Sequence, residues 1–429
     1  MFAGRDLESL QSLVLPDQWQ AEAIHALNDG RDVVLDAPTG AGKTYVFERW
    51  VEQHNFSRRA VFAVPTRALA NDKFAEWQAR DWRVGIITGD LTIDADAPVI
   101  VATLEAVQSR LIDGASRAIP RHRRTAEGQF QLLAVDEYQW LSDLSRGNHY
   151  EGVLGHLNPD MQLLLLSGSV ANPGAVADWL RRLGRDVATV QTADRPVPLE
   201  EFDIDDCING LPRTITGFWA KRLAGALREG LGPVLVFAPH RKDAERLARQ
   251  FSRELPLADP LTLTLQQKQA AGPALARLLQ QRIAFHHSGL SYAQRAGLIE
   301  PLAKAGQLRA VVGTLGLSAG INFSLRSVMV TANSYFVDHV EREIAPHDFL
   351  QMIGRAGRRG MDETGYVLVS GRTPRMRLAA PQQLKRAAPL PWPFLLRGLQ
   401  PGDSVRAKMD DAAARFFTKT PTLLGDETT

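Results

Sequence analysis

The stretch VVLDAPTGAGKTYVFERW, residues 33–50, constrains this chain more than any other. An apolar run ends in a turn of Pro, Gly, Ala and Gly, and Lys43, Thr44 and a helix-period pattern follow at once. Strand, small-residue loop and helix start, in that order, suit a bound phosphate. Glycines let backbone N–H groups approach an anion, and the helix N-terminus adds partial positive charge. Gly40, Ala41, Gly42, Lys43 and Thr44 make the expected cradle, with Lys43 reaching terminal phosphates and the Thr44 hydroxyl placed for Mg²⁺. Ala37 stands where the general pattern has its first glycine.

The remainder of the chain alternates strands and helices. Its 429 residues exceed what one core usually organises, which at roughly 150 residues per domain suggests two or three units. Apolar runs end at Asp36, Val64, Ile87, Val101, Val135 and Leu166, each followed by turn residues, and the rhythm resumes in PVLVFA, RIAFHH, RAVVGT, RSVMVTA and GYVLVSG. This predicts an α/β fold with mainly parallel sheets covered by helices on both faces. Prolines and acids between 192 and 215 read as a linker between a domain at 1–191 and one at 216–371, and 372–429 as a basic, proline-broken extension. The net charge of +2 does not argue for a polyanionic partner, so any basic surface must be local. Cys207, the single cysteine, excludes an intramolecular disulfide and a multi-thiolate metal site, and it points to a reducing compartment. The apolar runs fall short of the ~20 residues that span a bilayer, and the N-terminus has no cationic-then-apolar leader. The expected location is cytoplasmic, without a membrane partner.

A phosphate loop alone leaves kinases, transporters and GTPases open. QLLAVDEYQW narrows the choice, because its strand ends in Asp136 and Glu137 at the carboxyl edge, where open α/β sheets bind ligands. One carboxylate can hold Mg²⁺ and the other can orient and deprotonate an attacking water, since phosphoryl transfer depends mainly on positioning and charge neutralisation. QMIGRAGRRG places Arg355 and Arg358 three residues apart, on one face if the segment is helical. Arginines from a second domain would complete a nucleotide site across a cleft and stabilise charge on the γ-phosphoryl group. Arg359 is expected to face solvent.

These residues resemble the superfamily 2 helicases, and within them the superkiller-like DExH branch, from about Asp17 to about Gly371. DQWQAEAI is similar to the adenine-reading motif, with Gln20 in the reading position. APTGAGKT, VPTRALAND, TGD, ATLEAV, DEYQWLSDLSRGNHYE and LSGSVANPGAVADWL follow in the family's order. RPVPLEEF, VLVFAPHRKDAERLA, AFHHSGLS, GTLGLSAGIN and QMIGRAGRRGMDETGYV continue that order in the second half. The resemblance implies two tandem RecA-like domains that bind ATP and Mg²⁺ between them and hold a single strand across their tops. It implies strand contacts at Thr66, Arg67, Thr103 and Thr314, a nucleotide contact at Gly320, and Gln351 beside the attacking water. Asp136 with Thr44 would then hold the metal, and Glu137 would activate water. The implied activity is an ATP-driven helicase or translocase moving 3′ to 5′, with residues 192–215 as the pivot and RNA slightly favoured over DNA. The alternative is an ATP-gated clamp or assembly subunit that separates no strands.

Departures from the family pattern sit where ATP turnover is linked to strand movement. Gln139 replaces the usual His or Asp that closes motif II, motif III reads Ser167-Gly168-Ser169 in place of Ser-Ala-Thr, and Gly316 stands where a second threonine is common. Residues 372–429 are too few for both a winged-helix and a ratchet domain, so processive duplex unwinding is expected only where a partner protein supplies ratchet function. Arg117, Arg121, Arg123 and Arg124 form a basic loop that suits either nucleic acid or solvent. His286 and His287 lack further ligands at metal spacing and are read as structural or strand-side. Trp19 is placed either to stack on adenine or to fill the core, and Trp392 and Phe394 are expected to pack on the second domain rather than to dock a partner protein.

Overall fold

The computed structural model describes residues 16–116, 129–257, 259–315, 323–337, 340–371, 373–386, 404, 407, 410–411 and 414–417. The basic loop at 117–124, Gly316, Gly320, Trp392 and Phe394 lie outside the described residues.

Alternating apolar runs form two parallel sheets. The first holds β1 (Asp32–Asp36), β2 (Arg59–Val64), β3 (Val84–Ile87), β4 (Thr92–Ile93), β5 (Val99–Thr103), β6 (Phe130–Asp136), β7 (Gln162–Ser167) and β8 (Val187–Gln191). Their order is β4-β3-β5-β2-β6-β7-β1-β8, with only the short β4 antiparallel. Because side chains alternate along a strand, Val33 and Leu35 enter one helix-covered core and Val34 the other. That burial on both faces explains why these strands read as continuous apolar runs.

The second sheet holds β9 (Leu199–Asp203), β10 (Val234–Ala238), β11 (Ile283–His286), β12 (Ala310–Thr314), β13 (Ser327–Val330) and β16 (Gly365–Val369), in the order β11-β12-β10-β13-β16-β9. Between β13 and β16 stands an antiparallel hairpin of β14 (Ser334–Val337) and β15 (Val340–Glu343). The fold is two tandem RecA-like domains.

Two expectations change. The 192–215 linker contains β9, which pairs with β16, while Ile204 and Cys207 enter the second core. The connection between sheets therefore shortens to residues 192–198. The prolines at 196 and 198 had masked a short edge strand, a position that tolerates flanking prolines. Part of the extension also crosses back to the first domain. Gln382 N–H donates to Ser169 O at 2.6 Å, Ala171 N–H donates to Gln382 O at 2.8 Å, and Leu384 and Phe417 are buried in a first-domain core. A buried ion pair, Arg386 with Glu151 at 3.1 Å, fixes this strap.

The domains also meet where Tyr292 Oη donates to Asn71 O at 3.3 Å. Next to this contact Asp72 is buried, and neither carboxylate oxygen has a hydrogen-bond partner. Burial pushes Asp72 up to about 7, Glu300 of the second domain adds to the rise, and Arg295 and Lys304 oppose it. A raised carboxyl pKa contributes stability at pH below the unfolded value, and that contribution is lost as pH rises through about 7. Asp72→Asn should therefore flatten the fall in stability between pH 4 and 7. It should stabilise the protein at pH 8 by roughly 1–2 kcal/mol, less than the full shift because the amide is itself buried there without a hydrogen-bond partner. Thermal unfolding at pH 5 and pH 8 measures this, and a variant less stable than wild type at pH 8 would refute it.

Candidate nucleotide site and nucleic-acid face

The loop after β1 turns on Gly40 and Gly42, whose φ values of +81° and +93° lie where a side chain would be strained. No side chain caps the following helix, Thr44–Gln53, so its first turn keeps donors for an anion. Lys43 Nζ donates to the carbonyls of Ala37 and Pro38 at 2.9 and 3.3 Å. Gln20 is buried at the back of the loop, where its amide nitrogen donates to Gly42 O at 3.0 Å and its oxygen accepts from Asp17 N–H at 2.9 Å. A primary amide has two donors and two lone pairs, so one of each remains for a purine edge. Trp19 is partly buried against the first-domain core, which favours its packing role.

Asp36, Asp136 and Glu137 gather at the carboxyl edge of β1 and β6. Burial pushes Asp136 up to about 7, with Glu137 adding to the rise and Lys43 opposing it. Asp36 is likewise raised to about 6 by burial, again opposed by Lys43. Glu137 adopts φ 55° and ψ 52°, a left-handed conformation costly for a residue with a Cβ and common at functional sites. Gln139 holds its carboxylate, and the Gln139 oxygen in turn accepts from Ser167 Oγ at 2.8 Å. Ser167 Oγ also accepts from Ser169 N–H at 3.2 Å. The unusual Gln139 thus joins the acid edge to the motif III segment through neutral hydrogen bonds.

Oxygen donors and concentrated buried acid suit Mg²⁺, which usually takes one or two carboxylates and fills its other positions with water and substrate phosphate. Among the described residues no group of three or more His, Cys, Asp or Glu could hold a metal alone. His286 is instead paired with Glu300 at 2.9 Å, and His287 with Glu245 at 3.2 Å.

The second domain supplies the opposite wall. Its helix Pro346–Ile353 carries Gln351, which lines a cavity of about 520 Å³ together with Gln139. The helix ends before the arginines, so Arg355 and Arg358 do not share a helical face as expected. Gly354, Arg355 and Ala356 make tight turns, and Gly357 reverses the chain at φ +85°. Arg355 is half-buried, desolvation lowers its pKa, and the charges of Glu137 and Asp136 oppose that effect. Arg358 turns away and forks onto Asp362, with Nε and Nη2 both at 2.8 Å. Arg359 is exposed, as expected, but also donates to Ala41 O at 2.8 Å and pairs with Asp17 at 3.1 Å. Adjacency to Arg358 and an acid just before the Gln20 helix were the only sequence signs of this contact. Arg195, which the sequence did not mark, braces the same turn by donating to Gly354 O and Ala356 O.

Thr66, Arg67 and Thr103 come together at the carboxyl ends of β2 and β5, beside a cavity of about 380 Å³. Thr66 Oγ1 accepts from Leu69 N–H at 3.3 Å and caps its helix, while Arg67 is mostly exposed and pairs with Asp90. Arg146 lines the same cavity but is committed to Glu105 and Pro65 O. Thr314 ends β12 of the second sheet and is buried.

Gly168 lies against the phosphate loop, and a Cβ there would stand 2.3 Å from Ala37 O and 3.0 Å from Lys43 Nζ. Restoring the family's alanine with Gly168→Ala should therefore displace the loop. It should lower ATP affinity and turnover by about tenfold or more, as expected for overpacking against backbone. Titration and turnover assays check this, and unchanged values would show that the loop yields without cost.

The model of DEAD/DEAH box helicases matches residues 17–176, and that of the helicase conserved C-terminal domain matches residues 221–360. The chain is 31% identical to "ATP-dependent DNA helicase Hel308" of Thermoplasma acidophilum, over 82% of this chain and 52% of that protein. It is 27% identical to "DExH-box ATP-dependent RNA helicase DExH15 chloroplastic" of Arabidopsis thaliana, over 82% of this chain and 36% of that protein. It is 26% identical to "Superkiller complex protein 2" of Homo sapiens, over 95% of this chain and 37% of that protein. The chain spans about half or less of the length of these relatives. With both helicase domains matched in order around a shared phosphate-loop cleft, the chain belongs to the superkiller-like branch of the superfamily 2 DExH-type helicases.

Proposed function

We propose that the protein is an ATP- and Mg²⁺-dependent translocase and helicase on single-stranded nucleic acid, moving 3′ to 5′. The observation that carries this reading is half-buried Arg355 of one domain within electrostatic reach of Asp136 and Glu137 of the other, next to Gly354, whose backbone abuts Thr39 of the phosphate loop. Such a site is complete only when the cleft is closed, which ties hydrolysis to domain movement.

Gly40, Ala41, Gly42 and Lys43 bind the phosphates, and Gln20 reads the purine edge. Thr44 and Asp136 would hold Mg²⁺, which supplies charge neutralisation on the phosphates. Glu137 orients the attacking water and takes its proton, while Gln139 fixes the carboxylate and Gln351 helps place that water. Arg355 stabilises charge on the transferred phosphoryl group. Because Arg358 is held by Asp362, its expected role at the γ-phosphate would require that fork to open. Gly320 stands in the family's order as a further nucleotide contact.

Thr66, Arg67, Thr103 and Thr314 hold the strand through hydroxyl, backbone and guanidinium contacts, a mode that needs no large net charge. The β14–β15 hairpin favours strand separation over clamping. Its Phe336 and Val340 are 56% and 58% exposed, an apolar projection able to wedge between stacked bases. The relatives' names divide between DNA and RNA, and RNA remains the slightly favoured strand. An ATP-gated clamp is the rival.

Turnover with no polymer, single-stranded RNA, single-stranded DNA and a 3′-tailed duplex, with strand release read in the same tubes, tests the proposal. Stimulation with release is the expected result. Stimulation without release would restrict the activity to translocation, and ATP-dependent binding with slow hydrolysis would favour the clamp. Glu137→Gln should lower turnover by about 10³-fold or more while ATP still binds, and retained turnover would remove Glu137 as the water-activating group.

A further inference from the structure

We propose that Arg359 is an interdomain positioning residue that sets the phosphate loop for ATP when the cleft closes. This inference deepens the ATP-driven reading above and rests on it.

The geometry is a ring of contacts spanning both domains. Arg359 Nη1 donates to the carbonyl of Ala41 at 2.8 Å, and Gln20 Nε2 donates to the next carbonyl, that of Gly42, at 3.0 Å. Asp17 joins the two donors, accepting from Arg359 Nη2 at 3.1 and 3.2 Å and giving its N–H to Gln20 Oε1 at 2.9 Å. The fit is close, since a Cβ on Gly42 would stand 3.1 Å from Gln20 Nε2 and 3.2 Å from Arg359 Nη1. Any side chain at position 42 would press on both donors.

In a trans peptide the C=O and the following N–H point in opposite directions across a rigid plane. A donor that fixes the Ala41 carbonyl therefore fixes the Gly42 N–H, and one that fixes the Gly42 carbonyl fixes the Lys43 N–H. Both amides are then aimed away from Arg359 and Gln20, as a phosphate cradle requires. Gln20 makes its bond from within the first domain. Arg359 belongs to the second domain and makes its bond only when the domains approach, so closure itself orders the loop.

The Asp17 ion pair is not the important part. Both side chains are substantially exposed, at 45% and 37%, and exposed ion pairs contribute little. The charge-assisted bond to the Ala41 carbonyl is the contact that transmits closure. Arg359 touches neither the acid edge nor the attacking water's position. It acts through the loop, and its loss should fall on nucleotide affinity rather than on the chemical step.

The test uses the full chain carrying Arg359→Ala, Arg359→Lys or Asp17→Asn, with ATP Kd by calorimetry and KM and kcat at saturating single strand. Arg359→Ala should raise Kd and KM by roughly tenfold while kcat stays within about threefold, and Arg359→Lys should recover part of the loss. Asp17→Asn should raise Kd by no more than about threefold. Unchanged Kd in Arg359→Ala, a loss confined to kcat, or an Asp17→Asn effect equal to that of Arg359→Ala would each overturn the proposal. Equal melting temperatures among the variants guard against simple misfolding. If the wild-type chain hydrolyses no ATP, the translocase reading fails while the calorimetric comparison still decides the role of Arg359.

Discussion

Burial of the Asp36 and Asp136 carboxyl groups at the edge of the first sheet, with Lys43 opposing the charge of both, governs the arrangement around it. Desolvation raises these carboxyls to about 6 and about 7, so ionising them is costly within their own domain, where Lys43 offsets only part of the penalty. Charge in a low-dielectric setting must be met by a partner, and two are in reach. Arg355 lies within electrostatic reach from the second domain, and a hard cation such as Mg²⁺ suits an edge of carboxylate oxygens. The same electrostatic demand thus favours cleft closure and a site suited to a metal-bound triphosphate.

Closure is held by contacts of different kinds. Gly354 comes so near the phosphate loop that a Cβ would lie 2.9 Å from Thr39 Cβ, and Arg195 braces the turn that carries Arg355. On the far side of motif III the strap from the extension pairs with Ser169 and Ala171, and the Asn172 side chain bonds both ways to the Leu384 backbone. Ser169 also reads the Gln139–Glu137 link through Ser167. The segment that bonds Gln139, and through it Glu137, is therefore packed directly against chain that follows the second domain. Gln139 suits this position because an amide can donate to one neighbour and accept from another without adding charge to an already acidic edge.

Much was legible in the residues. Strands buried on both faces announced themselves as apolar runs, and the glycine loop and the Asp136-Glu137 pair each carried their chemistry in local spacing. Elements without such a signal were missed. β9 was masked by flanking prolines, and the helical reading of the arginine segment failed because the helix stops at Ile353 and Gly357 reverses the chain between Arg355 and Arg358. Arg358 and Arg359 are neighbours of the same type, so no local pattern could say which one meets the phosphate loop. Backbone reversal at Gly357 and the competing carboxylate of Asp362 decide it.

By itself the sequence determined the two-sheet α/β plan, the phosphate loop and the acid edge, because each depends on periodicity or on residues close along the chain. Only the tertiary structure decided what crosses between domains: Arg359 on Ala41, Asp72 near Glu300, Gln382 on motif III. Those pairings join residues separated by hundreds of positions, and their energies depend on burial and on the angle at which two folded units meet. Neither quantity is written in local spacing.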